Sequence, residues 1–307
     1  MSTKILVTGS NGFIGKNILP PLVSKGYDIF CPQRQDYDLV NEADVNRLFE
    51  NHNFDTVIHL AADVGGIQRI KNFPGEVFFN NVLLNTLIME YSRRNSVSKF
   101  IALNTINSYP ELDKVLVEDD YWSGRPNKDI FSYGMSKRLA IAQSEVYYNQ
   151  YQFNSINLIL DNTYGPYDDF DGPFARVIPS LINKFFKAKS ENLSSVSVWG
   201  SGQSRRQFFY VEDLVKIVLD IVENNHKNFT INVSSGETVT ISDLAHLISK
   251  SINYDGKIIF DKSMPEGNKI RVMSNEKLLS KFGKSKFHKL EEGIKKTVDW
   301  YKVNRKS

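Results

Sequence analysis

Three glycines at intervals of three follow the first apolar run of the chain, in Lys4-Ile-Leu-Val-Thr-Gly9-Ser-Asn-Gly12-Phe-Ile-Gly15. A glycine triplet alone is weak evidence, but this one sits where a strand pattern gives way to a helical one. There glycine permits a tight reversal and a close approach of backbone to pyrophosphate, while the helix N-terminus offers free N–H groups and a positive dipole end. Gly9, Ser10, Asn11, Gly12, Phe13, Ile14 and Gly15 are therefore predicted to cradle the phosphates of a dinucleotide. Such a turn opens a Rossmann-type, doubly wound parallel sheet, and so an α/β fold.

The spacing of the following segments agrees. Strand-like runs at Lys4 to Thr8, Asp28 to Cys31, Thr56 to Leu60, Lys99 to Leu103 and Ser155 to Ile159 alternate with helical patterns at roughly 13–25, 42–51, 75–94 and 131–150. From about Asn162 the order changes to loops, Pro-containing helix starts and short isolated strands such as Val196 to Trp199 and Phe229 to Val233. Lys257 to Phe260 reads as another strand, and Glu291 to Tyr301 as a closing amphipathic helix. The expectation is a dinucleotide-binding domain over 1–161 and a smaller C-terminal substrate-binding lobe over 162–307, with segments returning to the first domain. At 307 residues the chain is long enough for both.

Composition serves mainly to exclude. With 38 basic and 35 acidic side chains, the net charge of +3 is too balanced to argue for nucleic acid or an anionic membrane, so any anion site must be local. No stretch approaches the roughly 18 apolar residues that a membrane span needs, and no secretory signal pattern opens the chain. The single cysteine, Cys31, excludes an internal disulfide, and no two of the five histidines stand at metal-ligand spacing. A cytoplasmic protein without a metal is expected.

The end of the second strand usually selects the cofactor, because an acidic residue there binds the ribose 2′-hydroxyl of NAD. Here the tip reads Cys31-Pro-Gln-Arg34-Gln35, with no carboxylate. Arg34 suits a 2′-phosphate, which favours NADP over NAD; the competing reading is a solvated surface charge. Asp38 and Leu39, just beyond, are expected beside the adenine.

Tyr133-Gly-Met-Ser-Lys137 lies at the start of a predicted helix, and a spacing of four stacks both side chains on one face. An ammonium beside a phenol favours phenolate, moving a tyrosine from its usual pKa of about 10 toward the working range of an acid-base catalyst. Such a pair recurs by chance on helix surfaces; its place after a Rossmann half, with a hydroxyl upstream, gives it meaning. That hydroxyl is Thr105, at the carboxyl end of the fourth strand, where open α/β sheets put their active sites, and Ser108 competes for the role.

These motifs together resemble the extended short-chain dehydrogenase/reductases, and among them the GDP-L-fucose synthases. The resemblance runs through Gly9 to Gly15, His59-Leu-Ala-Ala-Asp-Val-Gly-Gly-Ile67, Asn80, Tyr133 to Lys137, Asn162-Thr-Tyr-Gly-Pro166, Val177-Ile-Pro179 and Trp199-Gly-Ser-Gly202. It implies that Thr105, Tyr133 and Lys137 are catalytic and that Lys137 also holds the nicotinamide ribose. Leu60, Ala61, Ala62 and Asn80 would join the cofactor contacts. It further implies a GDP-linked sugar as substrate, a role in surface-polysaccharide precursors and a helix-paired homodimer.

In that family a cysteine and a histidine carry a 3,5-epimerisation, and the matching positions here are Asn107 and Arg176. An amide does not titrate and a guanidinium stays charged, so neither removes a proton beside a carbonyl. The resemblance therefore implies a 4-keto-reductase without epimerase activity, acting on a GDP-4-keto-hexose, 6-deoxyhexose or heptose. Asp168, Asp169 or Asp171 is the alternative base. Lys184 and Arg206 match the family's diphosphate contacts, with Arg205 and Arg271 as weaker ones, and Asn162 and Val177 match pocket positions. Trp199 is expected beside the base, and Asn107 and Ser108 near the sugar. The rival readings are the epimerase-reductase itself, a 4-epimerase that keeps NAD bound, and a dinucleotide-sensing protein without catalysis. A 4,6-dehydratase usually has an acidic pair after its threonine, where Ile106 and Asn107 stand here.

Overall fold

The computed structural model describes residues 2–172, 175–264, 270–283 and 287–305, apart from the side chain of Ile67. Its strands are β1 (Lys4–Thr8), β2 (Asp28–Phe30), β3 (Thr56–His59), β4 (Lys99–Thr105), β5 (Ser155–Leu160), β6 (Asn162–Tyr164), β7 (Ser195–Trp199), β8 (Arg205–Arg206), β9 (Phe208–Tyr210), β10 (Phe229–Val233), β11 (Val239–Thr240), β12 (Lys257–Asp261) and β13 (Ile270–Arg271). Its helices are α1 (Phe13–Ser24), α2 (Glu42–Asn51), α3 (Gly66–Asn72), α4 (Pro74–Arg94), α5 (Phe131–Tyr151), α6 (Val177–Ser190), α7 (Val211–Glu223), α8 (Ile241–Ile252), α9 (Glu276–Phe282) and α10 (Leu290–Asn304). The chain forms two compact units. The first takes in Met1–Glu111, Glu118–Leu160 and Val215–Asn232, the second Leu112–Val117, Asp161–Leu214 and Val233–Ser307.

The first unit is built on a six-stranded sheet in the order β10-β5-β4-β3-β1-β2. The pairs β1–β2, β1–β3, β3–β4 and β4–β5 are parallel, which is the Rossmann-type arrangement. β3 and β5 are buried along their whole length, as a parallel sheet covered on both faces requires. One face closes over a core of Leu6, Leu48, Phe49, Val57, Ile88, Met89 and Phe100. Helix α2 starts where Asn41 Oδ1 accepts from the backbone N–H of Ala43 at 2.9 Å.

In the second unit β11, β8 and β13 make one small sheet, β12 pairs with β7 and β6 with β9. Helix α6 packs on α8, the first burying Ile182 and Phe185 and the second Leu244 and Ile248.

Two expectations need correction. Phe229 to Val233 is no isolated strand, because β10 extends the six-stranded sheet beside β5. Val196 to Trp199 is not isolated either, since β7 runs parallel to β12 with Val196 opposite Ile258. A short apolar run states that it is a strand but not which strand it pairs with. Helix α3 was absent from the sequence pattern because its start, Gly65-Gly66, reads as loop.

Candidate active site

Gly9 leaves β1 at φ +68°, and a Cβ added there would lie 2.7 Å from Ala61 N. A Cβ on Gly15 would come within 2.3 Å of Ser10 O. The loop is thus pressed against both its own helix and the end of β3, and any side chain at either position would push the backbone out of place. Thr8 Oγ1 fastens the arrangement by accepting from Leu60 N and Ala61 N, each at 3.2 Å. Asn11 Nδ2 reaches Gln33 Oε1 at 2.9 Å, so the glycine loop meets the tip of β2. Arg34, one residue further, is exposed.

Other predicted cofactor residues have settled partners. Leu39 is a core residue, and Asp38 Oδ1 accepts from Val40 N at 3.3 Å. Asn80 donates through Nδ2 to Asp63 Oδ2 at 2.8 Å, and Asp63 also takes a bidentate pair of hydrogen bonds from Arg69, at 2.7 and 2.8 Å. Arg69, mainly by those hydrogen bonds, holds the Asp63 carboxyl below its usual range.

Thr105 ends β4, and its Oγ1 accepts from Asn107 N at 3.2 Å, capping the single turn Ile106–Ser108. Helix α5 begins close to this turn, since a Cβ on Gly134 would lie 2.9 Å from Asn107 O. Glycine next to Tyr133 therefore lets α5 seat itself against the Thr105 turn. Arg138 ties the two together from below, donating through Nε to Ser108 O at 2.7 Å. Ser108 is fully buried, whereas Thr105 and Tyr133 are half-buried, so Thr105 is the hydroxyl that a ligand can reach. Asn107 is half-buried too.

Lys137, one helical turn beyond Tyr133, is 4% exposed and donates through Nζ to Leu103 O at 3.1 Å. Burial of its ammonium pushes its pKa down to about 8. Beneath it His59 is buried between Thr8 Oγ1, 2.8 Å from Nδ1, and Asn85 Oδ1, 3.1 Å from Nε2. Burial and then the charge of Lys137 lower the pKa of His59 to about 3, so this imidazole stays neutral.

The second unit holds a cavity of about 310 Å³, within the roughly 300–1,000 Å³ of small-ligand sites. Of the predicted substrate residues, Asn162, Arg176, Val177, Trp199 and Arg206 line it. Lys184 is not itself a lining residue but lies over one, its Nζ 5.5 Å from the centre of the Trp199 ring, and Arg271 pairs in register with Arg206 through β13 and β8. Thr163 and Tyr164 of β6, which fall in a segment that carries the resemblance, also line the cavity, together with Ser204 from the loop before β8, Phe208 of β9 and Ile241 of α8.

Arg176 is bound to Asp168, Nη2 to Oδ1 at 2.8 Å. Burial, countered by Arg176, raises the pKa of Asp168, whose carboxylate is tied to this lining residue. Asp169 Oδ1 caps Gly172 N at 2.8 Å, and Asp171 is exposed. Among the described residues no group of histidine, cysteine and carboxylate side chains could hold a metal, and no helix is long and apolar enough to cross a membrane.

The chain matches the NAD dependent epimerase/dehydratase family over residues 5–234. It is 33% identical to the GDP-L-colitose synthase of Yersinia pseudotuberculosis over 308 residues, covering 99% of each chain. A GDP-L-fucose synthetase from Naegleria fowleri superposes with a TM-score of 0.90 at 27% identity, over 98% of this chain and 94% of that one. The GDP-mannoheptose C4 reductase of Campylobacter jejuni, solved with NADP bound, superposes with a TM-score of 0.88 at 26% identity, over 98% of both chains.

Proposed function

Because the chain belongs to the NAD dependent epimerase/dehydratase family, we propose that it reduces the 4-keto group of a GDP-linked hexose, 6-deoxyhexose or heptose and leaves the flanking carbons unchanged. It is an NADP-dependent oxidoreductase related to GDP-sugar synthases and reductases. The first unit carries the cofactor and the proton chemistry, and the second carries the nucleotide in its cavity.

The residues present fit NADP. The tight turn that Gly9 and Gly15 allow, each packed too closely on protein backbone to carry a Cβ, is what a pyrophosphate cradle needs, and the exposed guanidinium of Arg34 suits a 2′-phosphate. Bound NADPH supplies the hydride. Tyr133 gives its phenolic proton to the ketone oxygen as that oxygen gains charge, and the Thr105 hydroxyl donates to the same atom. Lys137 is still largely protonated at neutral pH, and its ammonium stabilises the phenolate left on Tyr133. The buried chain Thr8–His59–Asn85 packs beneath Lys137 without adding a second charge.

The absence of epimerisation is carried by one observation. Arg176, where the resembled family has a histidine, is committed to Asp168 at 2.8 Å, and Asn107 replaces the cysteine. Neither group accepts a proton near neutral pH. The test is a panel of GDP-4-keto sugars with added NADPH. One equivalent of NADPH consumed per alcohol formed supports the reading, whereas turnover without net consumption would assign a 4-epimerase that recycles a bound cofactor.

A further inference from the structure

The carboxylate next to the cavity wall is nearly sealed from solvent: Asp161, immediately before β6, is 5% exposed. Its backbone N–H donates to Val233 O at 3.1 Å. Its Oδ1 accepts the backbone N–H of Asn162 at 2.7 Å and that residue's side-chain Nδ2 at 3.0 Å. Its Oδ2 accepts from the Ser234 hydroxyl at 3.1 Å. The other hydrogen of Asn162 Nδ2 goes to Gln207 O, 3.0 Å away. That carbonyl is fixed in turn, because buried Gln207 exchanges two hydrogen bonds with the backbone of Met273, at 2.7 and 3.2 Å.

These contacts impose a polarity on Asn162. A carboxylate oxygen and a backbone carbonyl are both acceptors, so only the NH2 end of the amide can face them. Asn162 lines the cavity, and no donor among the described residues reaches its Oδ1. What it presents to a ligand is an acceptor. Burial raises the Asp161 pKa to about 7, against the hydrogen bonds from Asn162 and Ser234 and the charge of Arg206. A proton taken up on Oδ2 would face the Ser234 hydroxyl, which can accept it, and would leave the role of Oδ1 unchanged.

Resting on the reading of this cavity as the nucleotide-sugar site, we propose that Asp161 is a positioning residue that makes Asn162 an obligate hydrogen-bond acceptor, selecting an O–H or N–H donor of the ligand and turning away its diphosphate. A phosphate oxygen set against Asn162 Oδ1 would oppose two acceptors. The diphosphate instead falls to a cationic donor, and the Arg206 guanidinium lines the same cavity.

The test is calorimetric binding of GDP and of GDP-mannose to the full chain without reductant, so that turnover plays no part. Asn162→Ala and Asp161→Val are each expected to weaken GDP-mannose by about tenfold, the size of one lost hydrogen bond, while Asp161→Asn, which keeps an acceptor at Oδ1, stays within about twofold. A loss shared by GDP places the donor on the base or ribose; a loss confined to GDP-mannose places it on the hexose. The double variant Asp161→Val with Asn162→Ala should bind no more weakly than Asn162→Ala alone, since Asp161 acts through Asn162. Additive losses, an unchanged affinity in Asn162→Ala, or an Asp161→Asn variant as weak as Asp161→Val would overturn the proposal. Failure of the unaltered chain to bind either compound would overturn the cavity reading and this inference with it, whereas normal binding with insensitive variants overturns this inference alone.

Discussion

Replacing Lys137 by methionine should abolish turnover and, near neutral pH, stabilise the fold. The side chain is 4% exposed, and burial lowers its pKa from 10.5 to about 8. At about 1.4 kcal/mol per pKa unit, holding the ammonium in the folded state costs on the order of 3 kcal/mol. Methionine fills a similar volume without that charge, but it leaves Leu103 O without its Nζ donor at 3.1 Å. That loss returns roughly 1–2 kcal/mol, for a net gain of about 1–2 kcal/mol at pH 7. The sign then fixes the pH dependence. A lysine with a folded pKa below its unfolded one binds fewer protons when folded between pH 8 and 10.5, so wild-type stability rises over that window relative to the variant. Urea unfolding of both proteins without ligand, at pH 7 and pH 9.5, isolates this group because other titrations cancel in the difference. The advantage of Lys137→Met should shrink by about 2 kcal/mol between the two pH values. A difference that stays constant with pH would refute the buried-ammonium reasoning, whatever happens to activity.

Three further outcomes are expected. Tyr133→Phe should keep NADPH affinity within about twofold and lose roughly 10²–10⁴ in turnover, measured by NADPH oxidation, because only proton transfer is removed; undiminished turnover would remove Tyr133 from the reaction. Gly15→Ala should weaken NADPH binding by more than about tenfold in a fluorescence titration, since the added Cβ meets Ser10 O at 2.3 Å. Arg34→Ala should raise the KM for NADPH by about tenfold and leave that for NADH unchanged, a charge-assisted contact being worth roughly 1.5–3 kcal/mol; equal effects on both cofactors would mean that Arg34 does not read the 2′-phosphate.

The parts of the protein that the sequence made legible are those where geometry admits few residue types. Gly9 and Gly15 are dictated by approaches under 3 Å, and the Tyr133–Lys137 spacing by the helix itself. Strand partners were less legible, because Phe229–Val233 gives its conformation but not its neighbour, which is β5. Leu39 shows a similar ambiguity, since an apolar residue after a strand serves an adenine or a core equally well, and its packing with Leu48, Phe49 and Val57 is compatible with both. Asp161 left no trace in the pattern. A carboxylate after a strand suggests a solvated turn, and only the three-dimensional placement of Asn162, Ser234 and Gln207 reveals what it holds. The same is true of Ile241 and Ser204 in the cavity wall, the first from the start of α8 and the second from the loop before β8.

The central claim is hydride reduction without proton exchange at the neighbouring carbons. Running the reaction in deuterated water with NADPH and a GDP-4-keto-6-deoxyhexose, then reading the product by proton NMR and mass spectrometry, examines it directly. The account predicts an alcohol at C4 with protium retained at C3 and C5. Deuterium at either carbon would contradict it and would mean that a base other than Asn107 or Arg176 operates in this chain.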